Sequence, residues 1–496
     1  MSAFLTAEQR AAAGAWALGS YRRLDALRVP AFQDPRALPG LKPAAVVQPA
    51  RLSLLPTALP RGLLPLREHL RGASVPGEAS PRLRLSRLLR WVAAPLRFEP
   101  LNPYAVHRGV PSGRCLYPLR YLLLGGAEAR VWAYRSEHHA LESLGECEPL
   151  RKQLGEDELL LLGIAELWSL ADKYGEFSPF PCALEAGMAQ AQVCQVGEAL
   201  GLAPQPLEAP IEARALCAPL EIPLAAVRLR LTGFAPQNWP QLECRRAGRA
   251  PTDELTRRFP RLEELAQAFS AGLEPLAAAA APVSPTTSPP AFEGDAGIDG
   301  LAIDLAEVLR LRGSGNDRGG FAPQPRLLAA DFSPRLLALA RALTARRMPV
   351  PEQPRLGQYW LWLHASGQAP GLYDLDSQPV ATAPAGSDAI AALRAALPRP
   401  DFRYNLPGFV GALLICAESW PALYAAGPSA LRRRHLAAGA LAQDFSLAAA
   451  ALGLFARPLR MLHEHRLEAR LGLPGPLVYT LLCGFNRSAN PALELL

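Results

Sequence analysis

The chain has 496 residues, half of them hydrophobic and 20% charged, with a formal net charge of +7. That balance excludes global disorder and leaves room for two or three packed domains. No stretch of eighteen apolar residues lacks a charge or a helix breaker, and the N-terminus has no basic start followed by an apolar core, so a cytoplasmic protein without a membrane span is expected.

Residues 1–80 read as an N-terminal extension. They carry one helical pattern, at 7–18, and then a Pro-, Arg- and Leu-rich stretch with little periodicity. A clasp around the rest of the chain and a peptide-recognition segment both remain open for it. Ser86 is a candidate cap for a short helix ending near Trp91. Strands are predicted over 120–124 and 129–134, with Gly125-Gly126 as the turn between them. Helices follow over 156–171 and 182–200, and a strand over 224–231 completes a first domain, 81–250. A helix at 254–270 and the Pro- and Ala-rich run 277–290 form a linker within 251–295.

The second domain, 296–496, shows helices over 301–311 and 333–345 and strands over 359–363 and 371–373. Helix 386–396, strand 410–417, helix 430–452 and strand 477–483 complete it. Helical runs beside antiparallel hairpins indicate an α+β fold. No strand leads through Gly-x-Gly-x-x-Gly into a helix, which argues against a Rossmann unit.

The halves resemble each other. Leu184-Glu185-Ala186-Gly187 leads to Ala199-Leu200-Gly201-Leu202, and Gly439 leads to Ala451-Leu452-Gly453-Leu454, with the glycines 14 positions apart in both. Each helix precedes an apolar run ending in Gly-Phe, at Gly233-Phe234 and Gly484-Phe485. A repeat of this kind implies two copies of one domain, whose shared site lies where they meet.

Eight cysteines without a Cys-x-x-Cys pair, and eight histidines without His-x-x-x-His spacing, argue against a metal site. No basic face with aromatic platforms suggests nucleic acid. Arg432-Arg433-Arg434 opens a predicted helix, where the dipole disfavours positive charge, and reads either as an anion contact or as an incidental cluster.

Three segments can carry chemistry. Arg310 to Arg318 brings guanidiniums and the Ser314 hydroxyl to a glycine-rich turn, a donor set suited to phosphate or to a solvated loop. Arg108-Gly109-Val110-Pro111-Ser112-Gly113 runs into a strand, either as an ordinary turn or with amides turned toward a polar ligand. Lys173-Tyr174-Gly175 offers an acid–base pair or a helix C-cap.

In this order the segments resemble the nitroreductase-like FMN flavoproteins, and more closely tandem members similar to the SagB/McbC-type azoline dehydrogenases. The resemblance implies two tandem nitroreductase-like domains forming an intramolecular pseudo-dimer. It assigns the FMN phosphate to Arg312, Ser314, Arg318 and Arg487, and the flavin ring edge to Arg108, Pro111, Ser112 and Gly113. It makes Lys173 and Tyr174 catalytic, Tyr174 as base and Lys173 as the cation lowering its pKa. Met188 stands where relatives commonly carry a histidine, and no basic residue lies between the Lys-Tyr pair and Glu185. The implied activity is FMN-dependent dehydrogenation of an azoline-like intermediate of a modified peptide or natural product, alongside partner enzymes. The alternatives are an NAD(P)H-dependent nitroreductase or quinone reductase, and a non-catalytic scaffold in a biosynthetic complex.

Overall fold

The computed structural model describes residues 47–495 apart from 76–79, 126–129, 248–252, 277–300, 317–320, 351–353, 365–368, 381–387, 398–403, 489–491 and positions 101, 103, 152, 348, 349, 426 and 461. The expected helix at 7–18, the run 277–290 and Arg318 therefore lie outside the described residues.

The first half is built on one antiparallel sheet. Its strands are β1 (Val47–Leu54), β4 (Leu119–Gly125), β5 (Arg130–Arg135), β6 (Ala140–Glu146), β7 (Glu158–Glu166), β8 (Gln205–Glu208), β9 (Glu221–Arg230) and β10 (Gln241–Ala247). They lie in the order β10-β1-β6-β5-β4-β7-β9-β8. Between β1 and β4 come α1 (Pro81–Val92) and the hairpin β2 (Pro95–Phe98) and β3 (Val106–Arg108). Between β7 and β8 come α2 (Leu167–Tyr174) and the long α3 (Pro179–Ala199).

The second half begins with α4 (Leu305–Leu311) and α5 (Phe332–Arg346). Its sheet holds β11 (Gly357–Trp362), β12 (Gly371–Asp374), β13 (Gly411–Cys416), β14 (Phe455–Leu459) and β15 (Leu477–Gly484), in the order β12-β11-β13-β15-β14. The long α6 (Gly427–Ala451) joins β13 to β14. The order matches β5-β4-β7-β9-β8 strand for strand, and in both a long helix enters after the central strand.

These helices form the middle of the molecule. Nearly every described position of α3 is buried, so it has sheet on one side and helix on the other rather than one wet face. A Cβ on Gly187 would lie 1.9 Å from the Leu436 carbonyl oxygen, and one on Gly439 would lie 2.0 Å from that of Leu184. Each glycine thus rests on the backbone three positions before its counterpart, so the contact is reciprocal. Gly201 (φ +65°) and Gly453 (φ +78°) follow the two helices in the left-handed region.

Polar groups pin the same crossing. Gln443 Nε2 donates to Gln192 Oε1 at 2.6 Å, and Gln195 Nε2 to Asp444 Oδ1 at 2.9 Å. Arg347 pairs with Asp444 at 3.1 Å, with the two side chains 4% and 0% exposed.

The halves also exchange ends. β16 (Leu493–Glu494), near the C-terminus, adds to β2 in a small sheet with β3. From the N-terminal side, Leu66 N donates to Ile303 O, while Leu305 N donates to Leu64 O. Residues expected to form a separate extension thus supply β1 to the first sheet and contacts to α4.

Three expectations change. Residues 158–166 form β7 instead of the start of a helix. Leu159–Leu162 sits between two neighbouring strands and is covered on both faces, so its pattern is a continuous apolar run rather than an alternation. Ser80 caps α1; Ser86 lies inside that helix and donates to Pro56 O at 2.6 Å. The Arg432–Arg434 cluster is spent internally. Arg432 and Arg433 hold Glu208, whose carboxyl they bring down against the opposing effect of burial, and Arg434 pairs with Glu418.

Candidate functional site

The site lies where the turn after α4 meets the turn between β3 and β4. Arg312, the first residue beyond α4, is 2% exposed and donates from Nη2 to the Arg108 carbonyl oxygen at 2.7 Å. From the first half, Arg97 donates to the carbonyl oxygens of Arg310 and Arg312 at 3.0 and 3.2 Å. From the second, Ala456 N donates to Gly313 O at 3.0 Å and Arg457 to Ser314 O at 3.4 Å. The 312–314 turn is therefore stitched to β14 on one side and to the first half on the other.

Tyr117 organises the facing turn. Its backbone N–H donates to Ser112 Oγ at 2.8 Å, its hydroxyl accepts from Arg108 N at 3.0 Å, and the Arg108 guanidinium lies 4.5 Å from its ring centre. Pro111 is buried, and Ser112 and Gly113 are half-buried. A Cβ on Gly113 would sit 2.6 Å from the Tyr174 hydroxyl, so only glycine lets the turn approach α2 this closely.

Arg114, Cys115 and Tyr117 have φ of +54°, +52° and +48°. Three non-glycine residues in the left-handed region within four positions store strain beside the site.

Positive charge predominates at this junction, where Arg97, Arg108, Arg312 and Arg457 meet and Glu99, paired with Arg97, is the ionised counter-charge. Arg108, Arg312 and Arg457 each have a buried Nε with no hydrogen-bond partner among the described residues. Glu185 on α3 gives little counter-charge. Burial raises its carboxyl to about 8 despite the Ser112 hydrogen bond and the Arg108 charge, so it holds its proton at neutral pH. Burial lowers Arg312 to about 10, with the Arg97 charge adding to the effect, and the guanidinium stays protonated. The donor set therefore suits an anion such as a phosphate-bearing group.

Lys173 and Tyr174 do not interact as expected. Lys173 pairs with Asp172 at 3.4 Å. The cation over the Tyr174 ring is Arg114, 5.7 Å from its centre. Burial raises Tyr174 to about 12, with Arg114 the largest opposing influence, so its hydroxyl is a proton donor rather than a base at neutral pH. α2 ends at Tyr174, and the Arg114 charge acts on both side chains.

Arg487 is exposed beyond β15. Its neighbour Asn486 accepts from Asn316 N at 2.8 Å, which brings the end of β15 to the same turn. The structure thus gathers Arg108, Pro111, Ser112, Gly113, Tyr174, Arg312 and Ser314, and pairs Lys173 with Asp172. Sequence reading missed Arg97, Arg114, Tyr117, Glu185 and Arg457. Glu185 left a signal, an acidic residue in a helix with no polar face; the arginines left none, being ordinary members of an Arg-rich chain.

No family model and no curated protein matches this chain. A protein from Anabaena variabilis designated a nitroreductase is similar in structure, with a TM-score of 0.60 at 16% identity, over 96% of this chain and 99% of its own. That likeness establishes a nitroreductase-like α+β fold. A protein from Ralstonia eutropha, also designated a nitroreductase, aligns with 40% of this chain and 98% of its own, at 20% identity and a TM-score of 0.30. The E. coli microcin synthetase McbBCD complex with truncated pro-MccB17 aligns with 46% of this chain and 94% of that one, at 15% identity and a TM-score of 0.25. Among the described residues no helix is long and apolar enough to cross a membrane, and no group of three His, Cys, Asp or Glu side chains is placed to hold a metal.

Proposed function

We propose that the chain is an FMN-dependent oxidoreductase whose two halves, 81–250 and 296–496, act as an intramolecular pseudo-dimer around one flavin. The observation that carries this is the meeting of the 312–314 and 108–113 turns, closed by the Arg312–Arg108 hydrogen bond. The reciprocal glycine contacts of α3 and α6 support the paired reading, because an isologous interface repeats each contact with the partners exchanged.

Ser314, the free Nε of Arg312 and Arg457 would hold the phosphate, with Arg318 and Arg487 completing the set. Pro111, Ser112 and Gly113 would border the ring. Bound there, FMN would supply two-electron chemistry. The chain's own residues orient it, keep water out and hold a proton at Tyr174 Oη. A donor at that atom suits reduction of an acceptor, since a nitroaromatic or quinone gains protons as it gains electrons. NAD(P)H-dependent reduction of such an acceptor is therefore the reading the site favours.

Azoline dehydrogenation is the second reading, favoured by Tyr174 lying against Gly113. It needs a base, and burial keeps the Tyr174 hydroxyl protonated at neutral pH. A scaffold role in a biosynthetic complex is the outcome if no flavin is retained. Stopped-flow reduction of the purified holoprotein by NADPH, by NADH and by an azoline peptide sorts these readings. Reduction by a nicotinamide, followed by reoxidation with a quinone that slows in Tyr174→Phe, is expected. Reduction by the azoline peptide alone would overturn the preferred reading.

A further inference from the structure

Cys115, His107 and Glu99 stand in a line beside the flavin turn, and the redox reading uses none of them. Cys115 Sγ lies 3.9 Å from His107 Nδ1, and His107 Nε2 lies 3.2 Å from Glu99 Oε2. Glu99 is fixed in turn by Arg97 Nε at 2.7 Å and Asn102 Nδ2 at 2.9 Å. Burial pushes the Glu99 carboxyl up, but the hydrogen bonds from His107, Asn102 and Arg97 outweigh it and bring the group down to about 2. An ionised carboxylate at Nε2 favours the tautomer with its hydrogen there, which leaves Nδ1 as an acceptor facing the thiol. Asn102 Nδ2 donates one hydrogen to Glu99 at 2.9 Å and also lies 3.2 Å from His107 Nε2, so the tautomer assignment rests on the Glu99 carboxylate accepting from Nε2.

We propose that Cys115 is a nucleophilic thiol, with His107 as its base and Glu99 as the group positioning that base, and that it adds to soft carbon electrophiles of the α,β-unsaturated carbonyl class. The arrangement has the nucleophile, base and orienting acid of a covalent catalytic site. Like other strained nucleophiles, Cys115 sits on a sharp turn with positive φ. Two groups outside the three act on the thiol: Tyr117 hydrogen-bonds to it, and the Arg312 charge favours its ionised form. Burial keeps the thiol above its ordinary range, so it rests protonated and depends on His107 rather than existing as a preformed thiolate.

The backbone decides the electrophile class. Cys115 N already donates to Ser112 O, and Leu116 N to Gly113 O. Neither remains for the oxyanion of an acyl transfer. Conjugate addition puts its negative charge on an oxygen several bonds from sulfur. The S–H proton moves to His107 Nδ1, the S–C bond forms at the β-carbon, and the C=C pair shifts to leave an enolate. The proton then returns to the enolate, so the adduct needs no oxidant.

The test uses the full chain, N-ethylmaleimide under limiting conditions, and peptide mass spectrometry. Cys217 is the internal control, since it is also half-buried; Cys147, Cys182, Cys194, Cys416 and Cys483 are buried. Cys115 is expected to react at least about tenfold faster than Cys217, a modest share of what a positioned base contributes. His107→Ala should remove most of that advantage, added imidazole should restore part of it, and Glu99→Gln should reduce it without changing Cys217. Equal rates at the two cysteines in the native chain, which needs no variant, would overturn the proposal. So would a folded His107→Ala or His107→Gln protein whose Cys115 labels as before.

Discussion

Replacing Gly187 with alanine tests whether the two halves are held by direct backbone contact. The new Cβ would lie 1.9 Å from the Leu436 carbonyl oxygen, against about 3.3 Å for a close carbon–oxygen approach. The obstacle is backbone in the middle of a helix and cannot rotate aside, so α3 and α6 must give way by about 1.4 Å at this contact. Overpacking on this scale costs about 1–3 kcal/mol. Alanine recovers up to about 1 kcal/mol of helix propensity, leaving about 2 kcal/mol of net destabilisation at the upper end of the range. Gly439→Ala should behave alike, because its Cβ meets Leu184 O at 2.0 Å. Combined, the two substitutions should cost less than their sum, since the first has already opened the crossing. Gly453→Ala is the control: a Cβ there meets nothing within 4 Å, so only the strain of φ +78° is felt, about 1–2 kcal/mol and additive with the others. Urea unfolding followed by tryptophan fluorescence gives each value. A stabilised Gly187→Ala protein, or strict additivity of the pair, would refute the reasoning.

Three further outcomes follow from the buried charges. Arg347→Ala leaves Asp444 enclosed with Gln195 as its remaining partner, and should cost about 3–5 kcal/mol in the same unfolding assay; pairing it with Asp444→Asn should recover part of the loss. Glu185 is raised in the folded protein, so the unfolded chain releases this proton first, and stability should fall as pH climbs from the ordinary carboxyl range to about 8 and then level off. Glu185→Gln should abolish that slope and make the protein more stable than the parent at pH 8 but not at pH 5; a parallel pair of curves would contradict the assignment. Arg312→Ala should weaken FMN retention by about 2–3 kcal/mol, read by equilibrium dialysis, with unchanged affinity counting against the turn as a phosphate site.

Much of the architecture is legible in the sequence because local pattern and tertiary role agree there. The glycines at 187, 201, 439 and 453 mark both helices, and the structure gives each a steric reason, two at a backbone contact and two at a left-handed turn. The runs at 411–416 and 477–484 are apolar, bounded by turns and too short for helices. Legibility fails where burial erases the pattern. β7 is covered on both faces and reads like a helix, while β1 and β10 gain their stability from each other across the length of the first half. At the site, Ser112, Gly113 and Arg312 are visible as turn chemistry. The pairing of Lys173 with Asp172 and of Tyr174 with Arg114 is not, because adjacent residues at a helix end say nothing about which one the neighbouring turn accepts. Nor is the Cys115–His107–Glu99 line, which exists only because the β2–β3 hairpin and a strained turn fold back on each other.

The visible absorption spectrum of the purified protein, with flavin and protein quantified on the same sample, bears on the central idea most directly. One FMN per chain, lost in Arg312→Ala and retained in Tyr174→Phe, is the predicted result. A colourless chain that leaves added FMN free, or one that binds two equivalents, would contradict it.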